Sequence, residues 1–273
     1  MSPGITTADH TRGILNPAAG LKRFELRRSA PAPELACLVD WHWIIHWSLT
    51  EPFEQEVLPH PCVNLSIEAR GSGVHAMGTR RSVARLEGTG RVVATKFKPG
   101  GFFPFTRVPM RELVDRVVPL GEALGGAASA LEQAVMEQPD DALALGAIEE
   151  LLRALQPAGD PALAEAMALA ARAEADREIH RVEDLAKVAG VSVRTLHRSF
   201  ERYIGVGPKW IIQRSRVHEA AERVAAGAPV VWAALAVELG YHDQAHLIRD
   251  FKAQIGFTPA VYAERCAAAR GAG

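Results

Sequence analysis

The chain has 273 residues, 48% of them hydrophobic, and a formal net charge of −1; this is enough apolar material for the cores of two ordinary domains and excludes a disordered chain. Cys37, Cys62 and Cys266 lie far apart with no CxxC pair, which argues against a disulfide framework and a clustered zinc site and fits a reducing compartment. The opening "MSPGITTADHTRGILNPAAG" has no basic region followed by an apolar stretch, and no later run is long and apolar enough to cross a bilayer, so a soluble, cytoplasmic protein without a membrane partner is expected.

Residues 21–105 read mainly as strand. Short runs such as "KRFELRR", "DWHWIIHWSL", "CVNLSIEA" and "RVVATKFKPGGFFPF" are separated by "APAP", "LPHP", "RGSG" and "EGTG", the punctuation of a β-sandwich or small, cupin-like barrel. In "WHWIIHW" the period of two puts Trp41, Trp43, Ile45 and Trp47 on one face and His42, Ile44 and His46 on the other. Two chemical readings compete for this segment. The first is a metal site built on His42 and His46 with His60 and His75, which would make this half a metal-dependent, cupin-like enzyme. Against it, positions i and i+4 of a strand lie roughly 13 Å apart, whereas metal–ligand bonds are near 2 Å. The second is a small-molecule pocket, for which Trp43, Trp47, His60 and Phe97 are the candidate effector-binding residues; each of these aromatics is also an ordinary core residue. No Walker loop, nucleophile elbow or HExxH is present, and neither a catalytic residue nor a cofactor is assigned.

After Pro109 the pattern changes. "MRELVDRVV", "AASALEQAVMEQ", "DDALALGAIEELLRAL" and "DPALAEAMALAARAEAD" are spaced as amphipathic helices, and Asp160 followed by Pro161 is a helix start. The expected organisation is α+β: a β-rich effector-binding domain over 1–108, a helical connector over 109–175 that is a candidate for dimerisation, and an all-α unit over 176–268.

The last segment contains a repeat. "VRTLHRSFERYIGVGP" and "AHLIRDFKAQIGFTP" superpose at an offset of fifty-one, pairing Leu196 with Leu247, Arg198 with Arg249, Phe200 with Phe251, Gly205 with Gly256 and Pro208 with Pro259. Each phrase follows a short helical pattern that stops at Gly190 or Gly240, and Ser192 or Asp243 caps the next helix. That is a helix-turn-helix, twice. Leu196 and Phe200, or Leu247 and Phe251, form the buried stripe, which leaves Arg194, His197 and Arg198 outward in one copy and Gln244, His246 and Arg249 in the other. Arg pairs with guanine and Gln with adenine in the major groove. From Arg177 onward there are fourteen Lys and Arg against ten Asp and Glu, so the repeat lies in the basic part of the chain. Residues 208–226 read as one helix of roughly 28 Å, a rod that would set two reading helices in successive grooves of one duplex; a rod shorter than one DNA turn would require a bend costing about 1–6 kcal/mol.

Residues 179–265, above all "GYHDQAHLIRDFKAQIGFTPAVY", resemble the AraC-type transcriptional regulators, whose reader has two helix-turn-helix motifs joined by a long helix. Arg216 and Ala220 match the arginine and alanine of the family's linker helix, and Tyr262 matches the aromatic after its closing proline; Ile211, beside Trp210, stands where a tyrosine is usual. The resemblance implies a sequence-specific DNA-binding regulator with double-stranded DNA as partner, Arg194, His197, Arg198, Gln244, His246 and Arg249 as its DNA-binding residues, and RNA polymerase and a small-molecule effector as candidate further partners. It is compatible with a monomer or a homodimer. "EVLPHPCVNLSIE" and "FKPGGFFPF" are similar to one N-terminal type in that family whose ligands are mostly uncharacterised.

Overall fold

The computed structural model describes residues 14–271 apart from 59, 80, 107, 156–158 and 228–229; residues 1–13, on which part of the reading of the amino-terminal stretch rests, lie outside the described residues. Eight strands are present among the described residues: β1 (Phe24–Ser29), β2 (Val39–Ser48), β3 (Phe53–Val57), β4 (Asn64–Glu68), β5 (Gly73–His75), β6 (Ser82–Leu86), β7 (Thr89–Phe97) and β8 (Val117–Pro119). Six of them form an antiparallel sheet in the order β1-β2-β7-β4-β5-β8, and β3 pairs with β6 in a separate ribbon. Of the two β architectures expected, the molecule takes the sandwich form, because the sheet stays open at β1 and β8 and the ribbon covers one of its faces.

The register explains both faces. Trp43 stands opposite Arg28 and Ala94, and Ile45 opposite Leu26 and Val92, so an apolar stripe runs across three strands toward the ribbon, where Phe24, Leu26, Trp47, Leu86 and Val92 close a small core. The other face carries Ile44, Leu65, Ile67, Val93 and Phe97, all nearly or fully buried. Against it pack α4 (Ala128–Glu137) and α5 (Asp141–Leu155), preceded by three short helices, α1 (Pro17–Gly20), α2 (Phe103–Thr106) and α3 (Leu120–Leu124). Val135, Ala144, Ile148 and Leu152 are completely buried there.

One stretch differs from its sequence pattern. "MRELVDRVV" is expected as helix, but it forms a single 3-10 turn (Met110–Glu112) and then strand β8. The cause is Asp115, which adopts a left-handed conformation with φ 60° while its carboxylate accepts hydrogen bonds from the Thr79 amide and hydroxyl, both at 2.7 Å. A short polar side chain tolerates that region and ends the helix there; the β-branched pair Val117 and Val118 that follows completes the β5 edge. The sheet therefore draws a strand from beyond residue 108.

The remaining helices are α6 (Pro161–Ala175), α7 (Val182–Ala189), α8 (Val193–Tyr203), α9 (Pro208–Ala225), α10 (Trp232–Glu238), α11 (Gln244–Ile255) and α12 (Pro259–Gly271). Asp160 caps α6 as expected, accepting from the amides of Ala162 and Leu163 with Pro161 at the first position. The buried alanines Ala166, Ala170 and Ala173 let α9 lie close along this helix. None of the described helices is long and apolar enough to cross a membrane.

Candidate nucleic-acid interface and ligand cavity

The two helical copies are built alike down to their hydrogen bonds. In the first, Gly190 has φ 66°, and the Val191 amide donates to the Ala186 carbonyl at 3.1 Å. In the second, Gly240 has φ 68°, and the Tyr241 amide donates to the Ala236 carbonyl at 2.8 Å. Both glycines hold the left-handed position that ends a helix without a Cβ penalty. Ser192 then caps α8 by accepting from the Thr195 amide, and Asp243 caps α11 by accepting from the His246 amide. The second turn is one residue longer, which accounts for an offset of fifty before the turn and fifty-one after it. Leu196, Phe200, Leu247 and Phe251 are buried as the spacing predicts.

Helix α9 is continuous over 18 residues, about 27 Å, and it grips both copies. Arg216 donates to the His180 carbonyl at 2.7 Å, just ahead of α7, and to the Gly240 carbonyl at 3.5 Å in the second turn. Arg214 is buried in the rod and donates to Gln254 on α11 at 2.9 Å; burial lowers its guanidinium to about 9. Ala220 is completely buried, and the Tyr262 ring packs 5.8 Å from that of Phe251. At the variant position Ile211 is buried, while the neighbouring Trp210 lies 5.4 Å beneath the Arg214 guanidinium.

The six outward residues divide into two kinds. Arg194, Arg198, Gln244 and Arg249 are exposed. His197 is partly covered, its ring lying against Gly207. His246 stacks edge-on to Tyr241 at 5.1 Å and approaches Asp250 at 3.8 Å. Three exposed cations and one exposed amide therefore stand on the outward faces of α8 and α11.

A cavity of about 560 Å³ lies between the sheet and the ribbon, within the size range of small-molecule sites. Its floor is Leu26, Arg28, Trp41, Trp43, Ile45 and Lys96, and Gln55, Val57, Ser82 and Ala84 form the ribbon wall. Trp43 donates from Nε1 to Asn64 at 3.1 Å. Trp41, on the middle of three strands, meets a cation from either side: Arg28 at 4.6 Å and Lys96 at 3.7 Å from the ring centre. Lys96 is paired with Asp40 at 3.0 Å. Burial pushes the Arg28 guanidinium below its usual range, with the Asp40 charge opposing. Nearby, burial also lowers the His75 imidazole, which is bonded to Ser66 at 2.8 Å, and raises the Cys62 thiol to about 11.

Residues 185–265 match the family model described as a helix-turn-helix domain, and residues 27–119 match that of a domain of unknown function, DUF6597. The C-terminal unit is a helix-turn-helix domain. The two helix-turn-helix copies and the long helix α9 between them are the elements that this match spans. Solved structures similar to the chain include an AraC-type DNA-binding domain-containing regulator from Chromobacterium violaceum, at 25% identity over 39% of this chain and 93% of that one, with a TM-score of 0.33. ToxT from Vibrio cholerae is similar at 12% identity over 89% of this chain and 99% of its own, with a TM-score of 0.39, in a structure bound to (E)-4-(8-methylnaphthalen-1-yl)but-3-enoic acid. Another ToxT structure, bound to an unsaturated fatty acid, gives 12% identity over 88% and 95% with a TM-score of 0.35. Superpositions this loose carry neither residues nor ligands across. No curated protein matches the chain.

Ahead of the helix-turn-helix domain, the residues expected to bind an effector separate. Trp43 and His60 line the cavity. Trp47 shares its face but lies across Gly90, donates to the Glu87 carbonyl at 3.1 Å and is sealed into the small core. Phe97 is a correction: it is one residue past Lys96 and so points to the opposite face, where it is wholly buried with Phe102 and Phe105. The cavity residues not anticipated include Arg28, Trp41 and Lys96. Arg28 continues the alternation Phe24, Leu26, and a cation in an apolar stripe is the signal that marks it.

The histidines of the metal reading also have other partners. His42 bonds Thr95 at 2.8 Å and Glu149 at 3.1 Å, and His46 bonds Asp141 at 3.0 Å. Both face α5, on the side of the sheet away from the cavity. Burial outweighs Glu149 and lowers the His42 imidazole. Among the described residues no group of three or more His, Cys, Asp and Glu could hold a metal ion.

Proposed function

We propose that the protein is a cytoplasmic, sequence-specific transcription regulator without catalytic activity, in which a small molecule held between sheet and ribbon controls how the AraC-type domain engages DNA. The division of labour is the one read from the sequence: 1–108, completed by β8, for the effector; 109–175 as the helical connector and candidate dimer surface; 176–268 for DNA. The molecule acts on its promoter as a monomer or homodimer, with RNA polymerase as a further partner.

The observation that carries the effector reading is that the ribbon has two sides with two uses. Gln55 and Val57 line the cavity, whereas Glu56 between them pairs with Arg81 at 2.7 Å and with Arg265 of α12 at 3.4 Å. Arg81 and Arg265 both lie over Phe257, at 5.2 and 4.1 Å. A ligand that prefers one ribbon position therefore biases the second reader by its difference in affinity between the two states.

The DNA assignment is tested by selecting binding sequences from a random pool and measuring affinity across single-base variants. Arg198→Ala and Arg249→Ala are each expected to cost about 1–3 kcal/mol and to relax preference at one base pair, in contrast to the uniform loss that follows removal of a phosphate contact. Unchanged affinity and unchanged preference in both variants would remove those faces from the interface.

A further inference from the structure

The cavity states more about its occupant than its size. Its wall is mostly apolar, yet the charged side chains on it are predominantly cationic: Arg28, Arg81, Lys96 and Arg116 against Asp115 alone, among the described residues. Three of these cations already have carboxylates, Arg81 with Glu56, Lys96 with Asp40 and Arg116 with Glu122. Arg28 differs. Its Nε and Nη1 are shielded from solvent and have no hydrogen-bond acceptor among the described residues, although its guanidinium is fixed by the Trp41 ring. A buried donor without an acceptor is costly, and more so when it is charged. A carboxylate supplies both the acceptor and the opposite charge.

We infer that the effector is a small organic monocarboxylate whose acid group is received by Arg28 beside Trp41, and whose apolar body lies along Trp43, Ile45 and the ribbon. This deepens the effector reading and rests on it. One negative charge is specified, because Asp40 already answers Lys96 and a single guanidinium remains; a dianion would leave a charge buried without a counterpart. Trp43, whose polar edge is occupied by Asn64, offers the body only ring surface. Leu26 and Ile45, opposite each other in the register, extend that surface away from the charged end. The site is thus polar at one end and apolar along its length, the layout that recognises an amphipathic acid.

The test uses the full-length protein and two matched probe pairs, octanoate with octan-1-ol and cinnamate with cinnamyl alcohol, titrated by calorimetry with tryptophan fluorescence as a second readout. At least one acid is expected to bind about tenfold or more tightly than its alcohol, the worth of one charge-assisted hydrogen bond. Arg28→Gln is expected to bring acid and alcohol level, and Arg28→Lys to restore part of the preference; thermal melting of both variants establishes that they are folded. Alcohols that bind as tightly as the acids, or an acid preference that survives Arg28→Gln, would overturn this inference while leaving an effector cavity in place. If no probe binds and none alters the fluorescence, the effector reading itself fails, and this inference with it.

Discussion

His42 shows how a single side chain can resemble function while serving the fold. Only 1% of its surface is exposed, it bridges Thr95 and Glu149, and burial depresses its basicity despite the carboxylate. His75, beside the cavity, is lowered for the same reason. In the unfolded chain both return to an ordinary value of about 6.5, so below that pH the unfolded state binds more protons than the folded one. Stability is accordingly full above about pH 6.5 and is lost as the pH falls through the depressed folded values. Melting temperatures measured from pH 8 down to 5 are expected to decline below about 6.5, and His42→Gln should make the decline shallower; an identical slope in the variant would show that other groups set it. At this scale the sequence was only half legible. Alternation put His42 and His46 on one face, but their partners Glu149 and Asp141 lie on a helix a hundred residues away. Phe97 was misplaced for a related reason: the parity of β7 relative to β2 is a matter of register, which a single strand does not disclose.

At the scale of elements, legibility tracked repetition and periodicity. The two helix-turn-helix copies were readable because one set of demands, a left-handed glycine, a cap and an i, i+4 stripe, is written twice. Strand β2 was readable from its tryptophans, and α6 from its capping pair. Strand β8 was not, because three residues carry too little pattern, and the left-handed Asp115 that breaks the expected helix depends on Thr79 from another loop. The pairing of β3 with β6, away from the main sheet, has no local signal either. The two turn glycines, alike in sequence, differ in surroundings. Gly190 faces open space, whereas a Cβ on Gly240 would run into the His180 ring, whose position Arg216 secures. Gly190→Ala should therefore cost the left-handed strain alone, about 1–2 kcal/mol, and Gly240→Ala should cost more. Denaturant unfolding of both variants decides this; equal losses would mean that the His180 ring swings clear.

Across the whole molecule, the apolar interior falls into unequal parts. One large core runs from the sheet through α4, α5 and α6 into the first reader, taking in Phe200, Tyr203, Ile204 and Ile211. The second reader has its own core around Leu235, Leu247, Phe251 and Tyr262, to which the amino-terminal half contributes Leu15 and Leu58. Its other ties to that half include polar and stacked ones: Asn16 with Tyr262 and Arg265, Lys22 with the Ala269 carbonyl, and Glu56, Arg81 and Arg265 about Phe257. Exposed ion pairs of this kind contribute about 1 kcal/mol or less, so Glu56→Ala should barely move the melting temperature. It should nevertheless quicken amide hydrogen exchange across 244–266 while 193–206 keeps its protection; uniform exchange in both stretches would show that the ribbon does not restrain the second reader. The two helix-turn-helix copies are therefore mounted differently, one cast into the frame and the other hung on a latch. Under the proposed function, footprints over the first of two contact segments on an operator persist whatever the metabolic conditions, and those over the second come and go with them.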